Sequence, residues 1–295
     1  MVSKMREDLK RDGYVRIPMT LSRFELSALR IAAGKVTELA RSGSWPFIRT
    51  LPKQFPPWPS SPEQGIWGVQ HLLHPSLPTT CNHSFAASYF NPTIIQSVCE
   101  ILDCKPDDLV LELYNLLVRP DADFALRWHR DDVAPDVSPA EEQKRLDEPI
   151  THTQWNLALY EDESLIVVPG SHSRARTEQE RNANPYEESM PAQTVVRLNP
   201  GDLVFYNNNI LHRGVYDSKT ERMTLHGSMG VAGADAARAR NVLQHGVGDW
   251  VDQCNFSHLT GYVDRRKIST VAESMKKNLI AMGSSKDVGF SQCED

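Results

Sequence analysis

Two hydrophobic rhythms divide the chain. In its first third, apolar residues recur every three or four positions. Phe24, Leu26, Leu29, Ile31, Ala32, Val36 and Leu39 follow Ser22, with Glu25 three residues after that serine. The spacing turns one helical face inward and the Ser–Glu pair is a capping-box start, so a helix over about 22–41 is expected. Asn91-Pro92 opens another, about 92–103, carrying Ile94, Ile95, Val98, Ile101 and Leu102. Residues 13–18 read as a short strand ending at proline. Between the helices, 42–62 sets Trp45, Phe47, Phe55 and Trp58 among Pro46, Pro52, Pro56, Pro57, Pro59 and Pro62. Regular helix is excluded there. The expectation is a Pro-fixed loop packed by its own aromatics, or a pocket wall with Arg49 aimed at an anionic substrate group.

From residue 109 the period shortens. Strand-like runs at 109–118, 124–129, 154–160, 165–168, 194–198, 203–206, 210–215 and 223–231 are punctuated by Pro169-Gly170, Pro200-Gly201-Asp202, Asn207-Asn208-Asn209 and Asp217-Ser218. Many short strands parted by turn residues predict a sandwich or barrel. Residues 132–151 form an acidic insertion, and 174–188 a polar, charged helix or excursion between strands. After Gly233 the pattern turns helical again, at 234–243 and 268–282.

Composition narrows the class. A chain of 295 residues with 40% hydrophobic content can bury a full core, and its net charge of −6 argues against broad nucleic-acid binding. Five cysteines (Cys81, Cys99, Cys104, Cys254, Cys293), odd in number and without C-x-x-C spacing, suggest neither a disulfide framework nor a zinc site. No signal-peptide core and no membrane-length apolar stretch stand out, so a reducing cytoplasmic setting is expected.

The candidate chemistry lies in the β region. His129 and Asp131 sit two apart on a strand-like run, where alternate side chains share a face. With ten histidines in the chain, an H-x-D triplet alone is weak. His212, on a later strand opened by the asparagine triplet, gives it a partner. Two imidazoles and one carboxylate on one face of a metal form the ligand set of non-haem iron(II) sites, and they leave three positions open. A chelating 2-oxo acid fills two and dioxygen the third. Arg222 follows His212 by ten residues, on a strand where Thr224 and His226 face the same way. A guanidinium there suits a distal carboxylate, and Thr224 adds a hydroxyl. His226 reads as a hydrogen-bonded core residue.

These residues resemble the phytanoyl-CoA dioxygenase-like family of iron(II)/2-oxoglutarate-dependent oxygenases. The likeness runs through Asp12-Gly13-Tyr14-Val15, Trp128-His129-Arg130-Asp131, the run from Leu165 to Pro169-Gly170-Ser171-His172, Pro200-Gly201-Asp202-Leu203-Val204-Phe205, Leu211-His212-Arg213-Gly214 and Arg222. It implies a mainly β fold, a double-stranded β-helix (a cupin-like jelly roll) with flanking N- and C-terminal helices. A single domain over 1–295 is expected, with a helical part to about 108, the jelly roll over about 109–231 and a helical extension from 232. The resemblance implies iron(II) held by His129, Asp131 and His212, 2-oxoglutarate anchored by Arg222, and O2 as co-substrate. It gives His172 to a turn.

One departure concerns Asn156, which stands where many members carry tryptophan; it is a candidate for the 2-oxoglutarate carboxylate, together with Asn115. The carboxylate of Asp131 favours oxygenation over halogenation, since related halogenating enzymes have a small residue there. The implied reaction is hydroxylation, desaturation or cyclisation at an unactivated C–H bond, with release of succinate and CO2. For the substrate, Trp67 joins the aromatic enclosure, and Arg49 and Arg119 are candidate carboxylate partners. With no dense basic cluster to take CoA phosphates, a small or medium metabolite is expected. No nucleic-acid or membrane partner is expected, and a homodimer is left open. The alternatives are a non-catalytic metal-binding jelly-roll sensor or scaffold and, ranked last, a zinc hydrolase.

Overall fold

The computed structural model describes residues 4–234 and 236–291; Asp235 and the tail with Cys293 lie outside it. The strands are β1 (Tyr14–Ile17), β2 (Ile48–Thr50), β3 (Ile66–Val69), β4 (Leu109–Val118), β5 (Phe124–Ala125), β6 (His152–Ala158), β7 (Leu165–Val167), β8 (Thr194–Val195), β9 (Leu203–Tyr206), β10 (His212–Tyr216) and β11 (Met223–Val231), with a terminal hairpin of β12 (Tyr262–Val263) and β13 (Arg266–Lys267). The helices are α1 (Lys4–Asp12), α2 (Arg23–Arg41), α3 (Thr79–Tyr89), α4 (Pro92–Leu102), α5 (Pro139–Leu146), α6 (Glu178–Asn182), α7 (Ala236–Leu243) and α8 (Ile268–Ala281).

Two antiparallel sheets form the jelly roll. One runs β1-β9-β6-β11-β4-β3-β2, the other β5-β10-β7-β8. From β4 to β11 the chain shuttles between them, and a cavity lined from both sheets lies in the middle. The period of two sorts the side chains. Gln154 and Asn156 face the cavity, while Trp155 and Leu157 join the core on the other side. Likewise His226 and Ser228 face in, while Leu225 and Met229 face out. The outward faces pack against α2, α3, α4 and α8 through residues such as Val36, Phe85, Val98 and Met275. Burying this much apolar surface, at roughly 25 cal/mol per Å², is the main force holding helices to sheet.

Local chemistry fixes the starts. Ser22 and Glu25 form the expected capping box of α2, and Asn91 caps α4 with Pro92 in its first turn. α1, α3, α5, β2, β3 and the β12–β13 hairpin were not expected. α3 escapes the periodic pattern because Asn82, His83 and Ser84 interrupt its apolar residues. β2 and β3 are only three and four residues long and sit at the edge of the Pro-rich stretch. Residues 42–62 are therefore a strand plus loop, and β3 and β2 extend the larger sheet beyond β4. The acidic insertion contains α5, and the polar excursion contains the short α6.

Candidate metal centre

His129 and His212 are joined through their backbones. The N–H of each donates to the carbonyl of the other, at 3.0 and 3.1 Å, in a single bridge linking the two segments. The rings lie 4.2 Å apart, centroid to centroid. Each imidazole holds a backbone carbonyl through Nδ1: His129 that of Arg127 and His212 that of Ile210, both at 2.8 Å. A hydrogen bond in that direction places the proton on Nδ1 and leaves the Nε2 lone pair free for a metal. Both Nε2 atoms face Asp131 Oδ1, at 3.4 Å from His129 and 3.7 Å from His212. Ligand atoms of the three residues lie within 4.8 Å of one another, and no other group of this kind occurs among the described residues.

The neighbours hold this arrangement. Gln154 on β6 donates from Nε2 to Asp131 Oδ2 at 2.8 Å, leaving Oδ1 directed at the imidazoles. Arg130, between the two ligands in sequence, turns the other way. Fully buried, it bonds Glu142 on α5 at 2.8 Å and the Ser171 carbonyl at 2.9 Å. Burial, with the charge of His129 adding to it, pushes His212 down to about 4, so its ring is neutral at pH 7. Burial works to raise the Asp131 carboxyl, but the two imidazoles and Gln154 outweigh it and hold the group well below the usual carboxylate range. A neutral His212 ring and an ionised carboxylate suit a divalent cation.

The other candidates divide. Arg222 lines the cavity, with its guanidinium 4.4 Å from the centre of the Tyr216 ring. Its Nε donates to Asp162 at 3.2 Å, while Nη1 is buried without a partner. Thr224 donates its hydroxyl to the same Asp162 carboxylate and does not reach the lining, which corrects its expected role toward a ligand. Asn156 lines the cavity; its Oδ1 takes His226 Nδ1 at 2.9 Å, which makes His226 the hydrogen-bonded residue expected. Asn115 accepts the His71 N–H at 3.1 Å and is not among the lining residues. Arg119 is a surface residue paired with Glu221 at 3.9 Å, because the end of β4 turns its side chain away from the cavity. Trp67 and Arg49 both line it. His172 bonds the Lys10 carbonyl at 3.1 Å and fastens its turn to α1.

Sequence reasoning missed Ser164, which lines the cavity beside Asp162, and Tyr216 on β10. It also missed the C-terminal cover. Arg238 on α7 bonds the buried Glu112, Asn241 donates to Asp132 at 2.8 Å, and His245 stacks on Trp58 at 6.2 Å. No spacing rule marks such residues, since each acts through a contact made only on folding.

The pattern of the phytanoyl-CoA dioxygenase (PhyH) family matches residues 9–222. No curated protein sequence matches the chain. Among solved structures, the chain is similar to AviO1 from Streptomyces viridochromogenes Tue57, at 17% identity over 80% of this chain and 98% of that one, with a TM-score of 0.56. EctD from S. alaskensis, solved with 2-oxoglutarate and 5-hydroxyectoine, matches at 16% identity over 79% and 77%, with a TM-score of 0.55. The epimerase SnoN, solved with Fe3+, alpha ketoglutarate and nogalamycin RO, matches at 18% over 78% and 83%, with a TM-score of 0.51. At these identities the likeness establishes a shared fold.

Proposed function

This chain belongs to the phytanoyl-CoA dioxygenase family, and from that premise we propose that it is an iron(II)- and 2-oxoglutarate-dependent oxygenase acting on an unactivated C–H bond of a small metabolite. The observation that carries the reading is the convergence of two Nε2 atoms with fixed tautomers on one carboxylate oxygen. His129, Asp131 and His212 would hold the iron. The cavity also fits an anionic co-substrate: Arg222 Nη1 is a buried donor with no hydrogen-bond acceptor, a costly state unless a ligand satisfies it. It is the group to receive the distal carboxylate of 2-oxoglutarate. Asn156, with its Oδ1 held by His226, has an amide N–H2 left to donate at the cavity wall.

Bound iron and 2-oxoglutarate supply the oxidising power for C–H cleavage, with succinate and CO2 released. The protein's own residues position and enclose. Phe55 packs edge-to-face on His129 with ring centroids 5.7 Å apart, Tyr206 packs in the same way on His212 at 5.5 Å, and Leu117 and Leu126 complete an apolar wall that excludes water. The cavity measures about 180 Å³. A second cleft of about 770 Å³ adjoins it and shares Asp131, Asp132, Arg238 and Asn241 with it.

The test is anaerobic addition of iron(II) and then 2-oxoglutarate to the full chain, followed by succinate release across a metabolite panel. A visible metal-to-ligand absorption band is expected, lost in Asp131→Ala and in His212→Ala. A wild-type protein that gives no band and binds no 2-oxoglutarate by calorimetry rejects the reading.

A further inference from the structure

Three arginines line the cavity, and two of them have carboxylate partners. Arg222 pairs with Asp162 and Arg238 with Glu112. Arg49 makes no hydrogen bond or ion pair among the described residues, and its Nε is buried. Its guanidinium carbon lies 5.1 Å from the ring centres of both Trp58 and Trp67. Aromatic faces soften the loss of water from a cation but accept none of its N–H bonds in the plane.

This placement is built. Both indole N–H groups donate to one carbonyl, that of Lys53, each at 3.0 Å, so a single backbone oxygen sets the two rings that flank Arg49. Across the β2–β3 pair, Arg49 sits opposite Gly68. A side chain there would begin 3.0 Å from Arg49 Cδ and 3.3 Å from its Cβ and Cγ, so the glycine leaves a slot for the arginine stem. Burial pulls the guanidinium down to about 10, which leaves it charged at neutral pH.

We propose that Arg49 is the receptor for a carboxylate on the primary substrate, so that the enzyme acts on small monocarboxylates bearing an apolar body. This rests on the oxygenase reading above. A planar guanidinium matches a carboxylate through two parallel bonds. One uncompensated cation also matches a monoanion better than a phosphate dianion. The flanking Trp58, Trp67 and Phe55 then cover the apolar part of the same molecule.

The test is calorimetric titration of the full chain, loaded anaerobically with iron(II) and 2-oxoglutarate, with benzoate, phenylacetate and hexanoate and with the primary amide of each. Wild type is expected to bind the acids at least tenfold more tightly than the amides. Arg49→Gln abolishes that preference, Arg49→Lys retains part of it, and Gly68→Val reduces it by displacing the arginine. The 2-oxoglutarate affinity of Arg49→Gln is expected to stay within twofold of wild type. Acid and amide binding equally, no saturable binding of any acid, or a preference that survives Arg49→Gln overturns the proposal. So does a large loss of 2-oxoglutarate affinity in Arg49→Gln, which would give Arg49 to the co-substrate. Repeating the acid titrations on metal-free protein separates this outcome from a failure of the oxygenase reading, which shows only as absent iron and 2-oxoglutarate binding.

Discussion

Asp131 is useful to a metal because one of its oxygens is already occupied. Gln154 holds Oδ2, so the carboxylate cannot swing both oxygens toward the ion or away from it. Groups that orient a ligand in this way typically contribute roughly 10- to 100-fold to metal affinity. Gln154→Leu, close in volume and without the donor, is therefore expected to weaken iron(II) binding by that factor with the fold intact. Competitive metal titration beside a circular dichroism spectrum checks both halves, and unchanged affinity would show that the bond orients nothing. The contrast between Asp131 and Gln154 also marks how far sequence can be read at this scale. His129, Asp131 and His212 stood out by residue type and spacing, although the expected strand over 124–129 ends at Ala125 and leaves His129 in an isolated bridge and Asp131 in a bend. Gln154 and Ser164 are ordinary polar residues on or beside strands until a particular neighbour faces them. Arg119 misled for the opposite reason: at a strand end, period no longer says which way a side chain points.

Among the elements, α7 decides how the cavity is covered. Its hold depends on Glu112, a wholly buried carboxylate on β4 that Arg238 reaches from the helix. Gly230 on β11 is part of the same device, since a Cβ there would collide with Glu112 Oε1. Glu112→Gln removes the charge but keeps the shape. Amide exchange in 236–245 is expected to speed up several-fold, measured by hydrogen–deuterium exchange mass spectrometry, while β6 and β11 stay protected. Equal exchange in the two proteins would mean that Asn241 and His245 hold the helix without the ion pair. The long strands and the capped helices were legible because their signals repeat over many residues. β2, β3 and α7's attachment were not, because short edge strands and single ion pairs leave too little pattern.

Over the whole molecule, one carboxylate gathers segments far apart in the chain. Glu142 accepts Arg130 and Arg176 at 2.8 Å and Arg181 at 2.5 Å, and it shows no exposed surface. Burial raises its carboxyl, but the Arg176 N–H and the Arg176 and Arg130 guanidiniums outweigh burial and hold it below the ordinary range. A carboxyl lowered on folding contributes stability above its unfolded value near ~4.3 and loses it as pH falls through the lower folded value. Glu142→Gln is thus expected to cost roughly 3 kcal/mol at pH 7, since it leaves buried arginines without their counter-charge. The gap from wild type should close progressively below about pH 4. Denaturant unfolding at pH 7 and pH 3 measures it, and a gap independent of pH would show that charge is not what the cluster contributes.

The Lys53 carbonyl that sets both indoles belongs to a stretch outside the eight strands that shuttle between the sheets. Arg49, Trp58 and Trp67 all arrive on β2, β3 and the link between them, appended beyond β4, while the proposed iron ligands lie on or beside β5 and β10. On the proposed reading, the side chains that choose the molecule arrive on a different part of the sheet from those that hold the iron. Exchange of residues 45–69 between relatives is expected to carry the donor's preference for charge, with Phe55 kept as it is because it packs against His129.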